Sequence, residues 1–224
     1  MIGADDRQDG VMGQGPNPAS INSSQRKKAE QTPLRIGVMA SGSGTNFEAL
    51  AQAILRGDLN ADIRLLVVNN PGCGAQQRAE RLGIDVDVLD HRVHQDREAL
   101  DRQLLSRFHA AAVEVVVMAG WMRIVTDGLI EGFPGRLLNI HPSLLPSFRG
   151  LDAVGQALAA GVRISGCTVH LVTSELDSGP IVAQAAVPVL ETDDHASLTR
   201  RIQVEEHKLL PMALTKLMPQ WRQG

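Results

Sequence analysis

From Leu34 onward, short apolar runs alternate with stretches of helical period, and this alternation constrains the fold more than any other feature. LRIGVMA, residues 34–40, is apolar at nearly every position, as suits a strand covered on both faces. SGSGTN follows, then NFEALAQAILRG, which puts Phe47, Leu50, Ala51, Ile54 and Leu55 on one helical face. The pattern continues through DIRLLVVNN as strand, GAQQRAERLG as a helix with a glycine stop, IDVDVLD as strand, DREALDRQLLSRFHAA as helix and EVVVMAG as strand. Apolar strands separated by helices imply parallel strands joined by right-handed crossovers. The expected class is therefore α/β, with a doubly wound, mostly parallel sheet of Rossmann type. After it come RLLNI as strand, LDAVGQALAAG as helix, GCTVHLVT and IVAQAAVPV as strands, and a last helix from about Asp194 to Leu217. Only the turn-like SELDSGP separates the last two strands, so an antiparallel hairpin is expected near the C-terminal end of the sheet.

Residues 1 to about 33 are rich in Gly, Asn, Gln, Ser and charge with little apolar periodicity. A segment with nothing to bury is expected to be a disordered leader, ahead of a single domain over residues 34–224. A chain of 224 residues, 43% hydrophobic and 21% charged, is long enough for one sizeable core. The formal net charge of -3 offers no basic footprint for nucleic acid or an anionic membrane surface. No run approaches the ~18 apolar residues of a membrane span, and the N-terminus lacks the apolar core of a signal peptide. Cys73 and Cys167 form neither a CxxC pair nor a disulfide framework, which fits a reducing cytoplasm.

In open α/β sheets ligands bind beyond the carboxyl ends of the strands, and four loops there carry unusual residues. In SGSGTN, Gly42 and Gly44 free backbone N–H groups to approach an anion, and the following helix N-terminus adds its dipole. The alternative is a plain tight turn; the stretch is neither a dinucleotide fingerprint nor a Walker A loop. In AGWMRIV, Trp121 and Met122 could line a slot for a flat heterocycle while Arg123 meets an acidic ligand tail, or the segment could be core packing with a surface Arg. In NIHPSLLPSFRG, Pro142 and Pro146 restrain the backbone around His141, as suits a group that must be placed within reach of reacting atoms. Asn139, two residues earlier, would share its face, so an amide donor and an imidazole could be aimed at one developing oxyanion. In SELDSGP, Asp177 could cap the turn, or, if the loop folds against the end of the preceding strands, orient His141 and favour its charged form.

Three other features have simpler readings. His91 and His94 fit a solvated loop better than a metal site, Glu205 and Glu206 beside His207 suit a solvated helix face or a contact to a substrate amine, and Arg97 suits a surface helix unless that helix begins at the ligand cleft.

SGSGTN, AGWMRIV, LLNIHPSLLPSFRGLDAVGQAL and TVHLVTSELDSGPIVAQ, in this order and spacing, resemble phosphoribosylglycinamide formyltransferase over about Leu34 to Leu217. The resemblance implies a formyltransferase-like fold and transfer of a formyl group from 10-formyltetrahydrofolate to the amine of glycinamide ribonucleotide in purine biosynthesis, with no metal. It implies Asn139, His141 and Asp177 as the catalytic trio. Gly44, Thr45 and Asn46, with Gln203, Val204, Glu205 and Glu206, would meet the nucleotide substrate. Arg97, Met122, Arg123, Ile124, Val125, Asn139, Thr173, Ser174, Glu175, Leu176 and Asp177 would hold the folate. The expected partners are small molecules alone, met by a monomer or homodimer. SLLPSFRG also looks like methionyl-tRNA formyltransferase, but the chain ends at Gly224 without the basic charge a tRNA-contacting domain would bring. Formyltetrahydrofolate deformylase shares the trio, yet the leader is too short for its usual regulatory domain, and the phosphate loop favours a phosphorylated acceptor over water. A non-catalytic nucleotide-binding module is a third reading, disfavoured by the presence of all three members of the trio.

Overall fold

The structure is a computed structural model that describes residues 32–222. The stretch read as a leader, residues 1 to about 33, lies outside the described residues but for its last two. Among the described residues seven strands are present: β1 (Leu34–Ala40), β2 (Ala61–Val68), β3 (Val86–Val88), β4 (Val115–Met118), β5 (Leu137–His141), β6 (Ile164–Leu171) and β7 (Ile181–Pro188). Six helices accompany them: α1 (Thr45–Leu55), α2 (Gly74–Leu82), α3 (Arg97–Ala110), α4 (Asp127–Gly132), α5 (Ala153–Ala159) and α6 (His195–Trp221). The strands form one sheet in the order β3-β2-β1-β4-β5-β6-β7. Pairing is parallel from β3 to β5 and antiparallel from β5 to β7, so the expected hairpin is present and the strand before it also runs against its neighbour.

Alternation along the strands divides the core. Ile36, Val38 and Ala40 of β1 point into a cluster with Phe47, Leu50, Ala75 and Leu210, so α1, α2 and α6 cover that face. Met39 points the other way, to Leu100, Leu104, Phe108 and Leu129 of α3 and α4. A strand buried on both faces needs apolar side chains at successive positions, which is what LRIGVMA supplies. Gly37 is the exception: a Cβ there would lie 2.6 Å from the Phe108 ring, so only glycine lets α3 approach this closely.

Several boundaries differ from the sequence reading. IDVDVLD contains only three strand residues, because β3 is an edge strand paired to β2 alone and Asp90 then accepts from Arg92 N, turning the chain into a 3-10 turn at His91–Val93. His141 is the last residue of β5 rather than the first of a loop. The short α4 was not anticipated, having too few residues to show a helical period. The last helix continues to Trp221 through Pro211 and Pro219, since burial of Leu209, Leu210, Pro211, Ala213 and Leu214 outweighs the missing N–H donors. Among the described residues no helix is long and apolar enough to cross a membrane.

Candidate active site

The chain leaves β1 to build outward through β2 and β3, then returns to β4 on the other side of β1. Loops that follow β1 and β4 must therefore part at this switch point, and a cleft of about 900 Å³ opens there at the carboxyl ends of the strands. Its floor is the end of β5. Asn139 and His141 are two residues apart on that strand, so their side chains leave the same face. The antiparallel register sets His170 of β6 directly opposite Asn139. Asp177 arrives from the β6–β7 turn with φ +49°, a left-handed conformation that Asp adopts more readily than most residues.

The four side chains form one cluster, in which His141, His170 and Asp177 are buried and Asn139 is half-buried. Asp177 Oδ2 lies 3.4 Å from His141 Nδ1 and accepts from Gly150 N at 2.9 Å. Its Oδ1 accepts from Asn139 Nδ2 at 3.4 Å and lies 3.5 Å from His170 Nε2. Burial works to raise the Asp177 carboxyl, but the His170 and Gly150 hydrogen bonds and the charges of His141 and His170 together hold it below its ordinary value. His170 Nδ1 faces the Leu171 carbonyl at 2.9 Å, and its Nε2, on the side of Asp177 Oδ1, lies 3.2 Å from Asn139 Nδ2. His141 has an acceptor at each nitrogen, the Phe148 carbonyl 2.8 Å from Nε2 and Asp177 at Nδ1.

On one side of this cluster all six residues of Ser41–Asn46 line the cleft, with the N-terminus of α1 behind them. Gly44 has φ +76°, and a Cβ there would lie 2.5 Å from the Ala75 backbone. The first turn of α2 is thus packed against the loop, and Ala75 N donates to Gly42 O at 3.0 Å. Such a loop presents backbone N–H groups and a helix dipole to an anion. Asn46 Nδ2 donates to Glu206 Oε2 at 2.9 Å across 160 residues. Burial pushes the Glu206 carboxyl up, against the hydrogen bond from Asn46. Of the four residues Gln203 to Glu206, only Gln203 and Glu206 line the cleft, together with Thr199 and Ile202. Val204 is exposed and Glu205 pairs with Lys208, because successive helical residues turn through ~100° and four in a row cannot share one face.

On the other side Met118, Trp121, Met122, Ile124, Val125 and Val172 make an apolar slot, closed by Thr173, Ser174, Glu175 and Leu176 of the turn that carries Asp177. Met122 is 69% exposed and Ile124 54%, large apolar side chains left open to a ligand. Arg123 also lines the cleft. Arg97, by contrast, is the exposed first residue of α3 and does not line it. His91 donates to Asn69 O, and among the described residues no His, Cys, Asp or Glu group is arranged to hold a metal ion.

The sequence reading brought Asn139, His141 and Asp177 forward and missed His170, Ser41, Asn70 and Thr199. Period-two alternation marks the faces of GCTVHLVT but says nothing of its register against β5, and Ser41 and Asn70 sit in loops whose neighbours the topology alone decides.

Comparison with known proteins bears on this arrangement. Residues 34–214 match the sequence profile of the family described as formyl transferase. The chain is 37% identical to the phosphoribosylglycinamide formyltransferase of Bacillus subtilis, over 82% of its own length and 94% of the relative's. It is 43% identical to the trifunctional purine biosynthetic protein adenosine-3 of Drosophila melanogaster over 86% of its length, and spans 14% of that much longer protein. The crystal structure of glycinamide ribonucleotide transformylase 1 from Symbiobacterium toebii superposes with a TM-score of 0.80 at 44% identity, covering 81% of this chain and 86% of that one. With its profile, its relatives and its fold in agreement, the chain belongs to the formyl transferase family, among the phosphoribosylglycinamide formyltransferases.

Proposed function

We propose that the cleft transfers a formyl group from 10-formyltetrahydrofolate to the primary amine of glycinamide ribonucleotide, a cytoplasmic step of de novo purine (IMP) biosynthesis carried out on small molecules. One observation carries this reading: the Asn139–His141–His170–Asp177 cluster lies in a single cleft between a glycine-rich loop suited to an anion and an apolar slot. The nucleotide's phosphate sits on Gly44, Thr45 and Asn46, with Gln203 and Glu206 along its flank. The flat donor lies in the slot of Met122 to Val125, under Thr173 to Leu176. Its formyl carbon then meets the end of β5.

The chemistry follows from what these groups can donate. The amine attacks the formyl carbon, and negative charge grows on the carbonyl oxygen. Asn139 Nδ2 and His141 Nε2 are the donors that would turn to that oxygen, away from Asp177 Oδ1 and the Phe148 carbonyl that they face in the structure. The carbon–nitrogen bond to the folate then breaks. The attacking amine loses a proton, the departing folate nitrogen gains one, and His141 or a water carries it. Asp177 holds the imidazole in register, while the prolines on either side of Ser143 hold the strand end still.

The decisive experiment mixes the protein with 10-formyltetrahydrofolate, with and without glycinamide ribonucleotide, and follows release of tetrahydrofolate. Release that requires the nucleotide is expected; equal release without it means hydrolysis and overturns the reading. In the same assay His141→Ala should lower kcat by roughly a hundredfold to a thousandfold, the usual worth of an oxyanion donor, with an unchanged circular dichroism spectrum. Wild-type turnover in that variant sinks the mechanism.

A further inference from the structure

Asp101 is a buried carboxylate for which the reaction has no use. It lies on the inner face of α3 with Leu100, Leu104 and Phe108, and is only 3% exposed. A carboxylate on an apolar helix face is costly unless its oxygens are bonded, so what it bonds is informative. Its Oδ2 accepts from Thr126 N at 2.6 Å, and the Thr126 hydroxyl also bonds it. Burial pushes its carboxyl up against the pull of the Thr126 bonds. It does not line the cleft; it borders a separate pocket of about 300 Å³ between α3 and α4, beside Glu98, Arg102 and Asp127.

Thr126 ends the irregular segment that runs from β4 to α4, and the middle of that segment, Trp121 to Val125, is a wall of the apolar slot. The segment is tied at both ends from outside. At its start Met122 N donates to Ser41 Oγ at 2.9 Å, and Ser41 N donates to Gly120 O at 3.0 Å. At its finish the tie is Asp101. The residues between the ties place exposed Met122 and Ile124 over the slot, without helix or strand of their own to hold them. We infer that Asp101 is a positioning residue for the formyl donor: through Thr126 it sets the height of the slot wall, and so the affinity for the donor heterocycle, without touching either substrate. The inference rests on the reading of that slot as the donor site.

Three variants test it. Asp101→Leu removes the tie but fills the space with an apolar side chain, so the fold should keep its stability. Its KM for 10-formyltetrahydrofolate should rise roughly tenfold, as positioning errors typically cost, while its KM for glycinamide ribonucleotide and its kcat at saturating donor stay within about twofold of wild type. Asp101→Asn, whose amide oxygen can still accept from Thr126 N, should recover most of the loss, and Asp101→Ala should resemble Asp101→Leu. Quenching of tryptophan fluorescence on folate binding reports the same affinity without turnover, because Trp121 lies in the slot. A donor KM for Asp101→Leu equal to wild type overturns the inference, and so does an equal rise in both KM values, which would mean general loosening. Those outcomes leave the donor-site reading intact. If the wild-type protein neither turns over nor binds the folate, the donor-site reading itself falls and takes the inference with it.

Discussion

Asp177 and Glu206 are buried carboxylates of one cleft, and their surroundings drive them in opposite directions. Asp177 is ringed by donors, so its folded value lies below the ordinary one near 3.9. Its contribution to stability is therefore whole above about pH 3.9 and is lost as pH falls through the folded value. Asp177→Asn should be less stable than wild type at pH 6 and should lose less on acidification; urea unfolding between pH 6 and pH 3 would show two curves that converge, and parallel curves would deny the pairing. Glu206 has a single amide donor, Asn46, against burial, and its folded value is raised. Its contribution is present below its unfolded value of about 4.3 and is lost as pH rises through the folded one. Glu206→Gln keeps an acceptor for Asn46 and removes the desolvated charge, so at pH 8 its Tm should rise by about 2–4 °C, the shift that ~1 kcal/mol brings in a chain of this size. The same change should weaken the acceptor, and a Tm unmoved at pH 8 would mean that the carboxylate is not charged at a cost. A gain in Tm together with weaker acceptor binding would be the usual tension between stability and activity.

At the scale of elements, the loop after β1 is held by its neighbour. Gly44 takes a conformation that L side chains rarely adopt, and the α2 backbone closes the space where a Cβ would go. Gly44→Ala should therefore displace the loop and raise KM for glycinamide ribonucleotide by roughly tenfold or more while leaving KM for the folate near wild type, a split that steady-state kinetics reads directly. Equal effects on both would mean that the loop serves the whole cleft. Element types were well marked in the sequence because strand and helix periods are properties of near neighbours: LRIGVMA, NFEALAQAIL and EVVVM each carry their own signal. Element ends were not, because they depend on what lies alongside. IDVDVLD loses strand at both ends where β2 stops pairing, and β5 extends to His141 because β6 continues to pair with it. The face of α6 that lines the cleft shows the same limit. Gln203 to Glu206 is a contiguous motif in the sequence, yet only its first and last residues reach the cleft.

The whole molecule is closed by α6, which runs along one face of the sheet and ends against the start of β5. Trp221 Nε1 donates to Gly135 O at 3.0 Å, and Arg136 Nη2 donates to the Trp221 carbonyl at 2.8 Å. Neither residue lines the cleft, so Trp221→Ala should lower stability by about 1–3 kcal/mol in urea unfolding with both KM values unchanged. No loss of stability would show that the clasp is ornamental. The sequence by itself determined the order of strands and helices, the loops that carry glycine, imidazole and carboxylate at strand ends, and the likeness to a family through four spaced motifs, because each of these is written in residues close together in the chain. Only the tertiary structure decided which loops meet. It set β4 beside β1, so that Ser41 supports the slot wall, laid β6 antiparallel so that His170 faces Asn139, and joined Asn46 to Glu206. The physical reason is that sheet order and register follow from burying every apolar face at once, a condition on the whole chain that no local stretch contains.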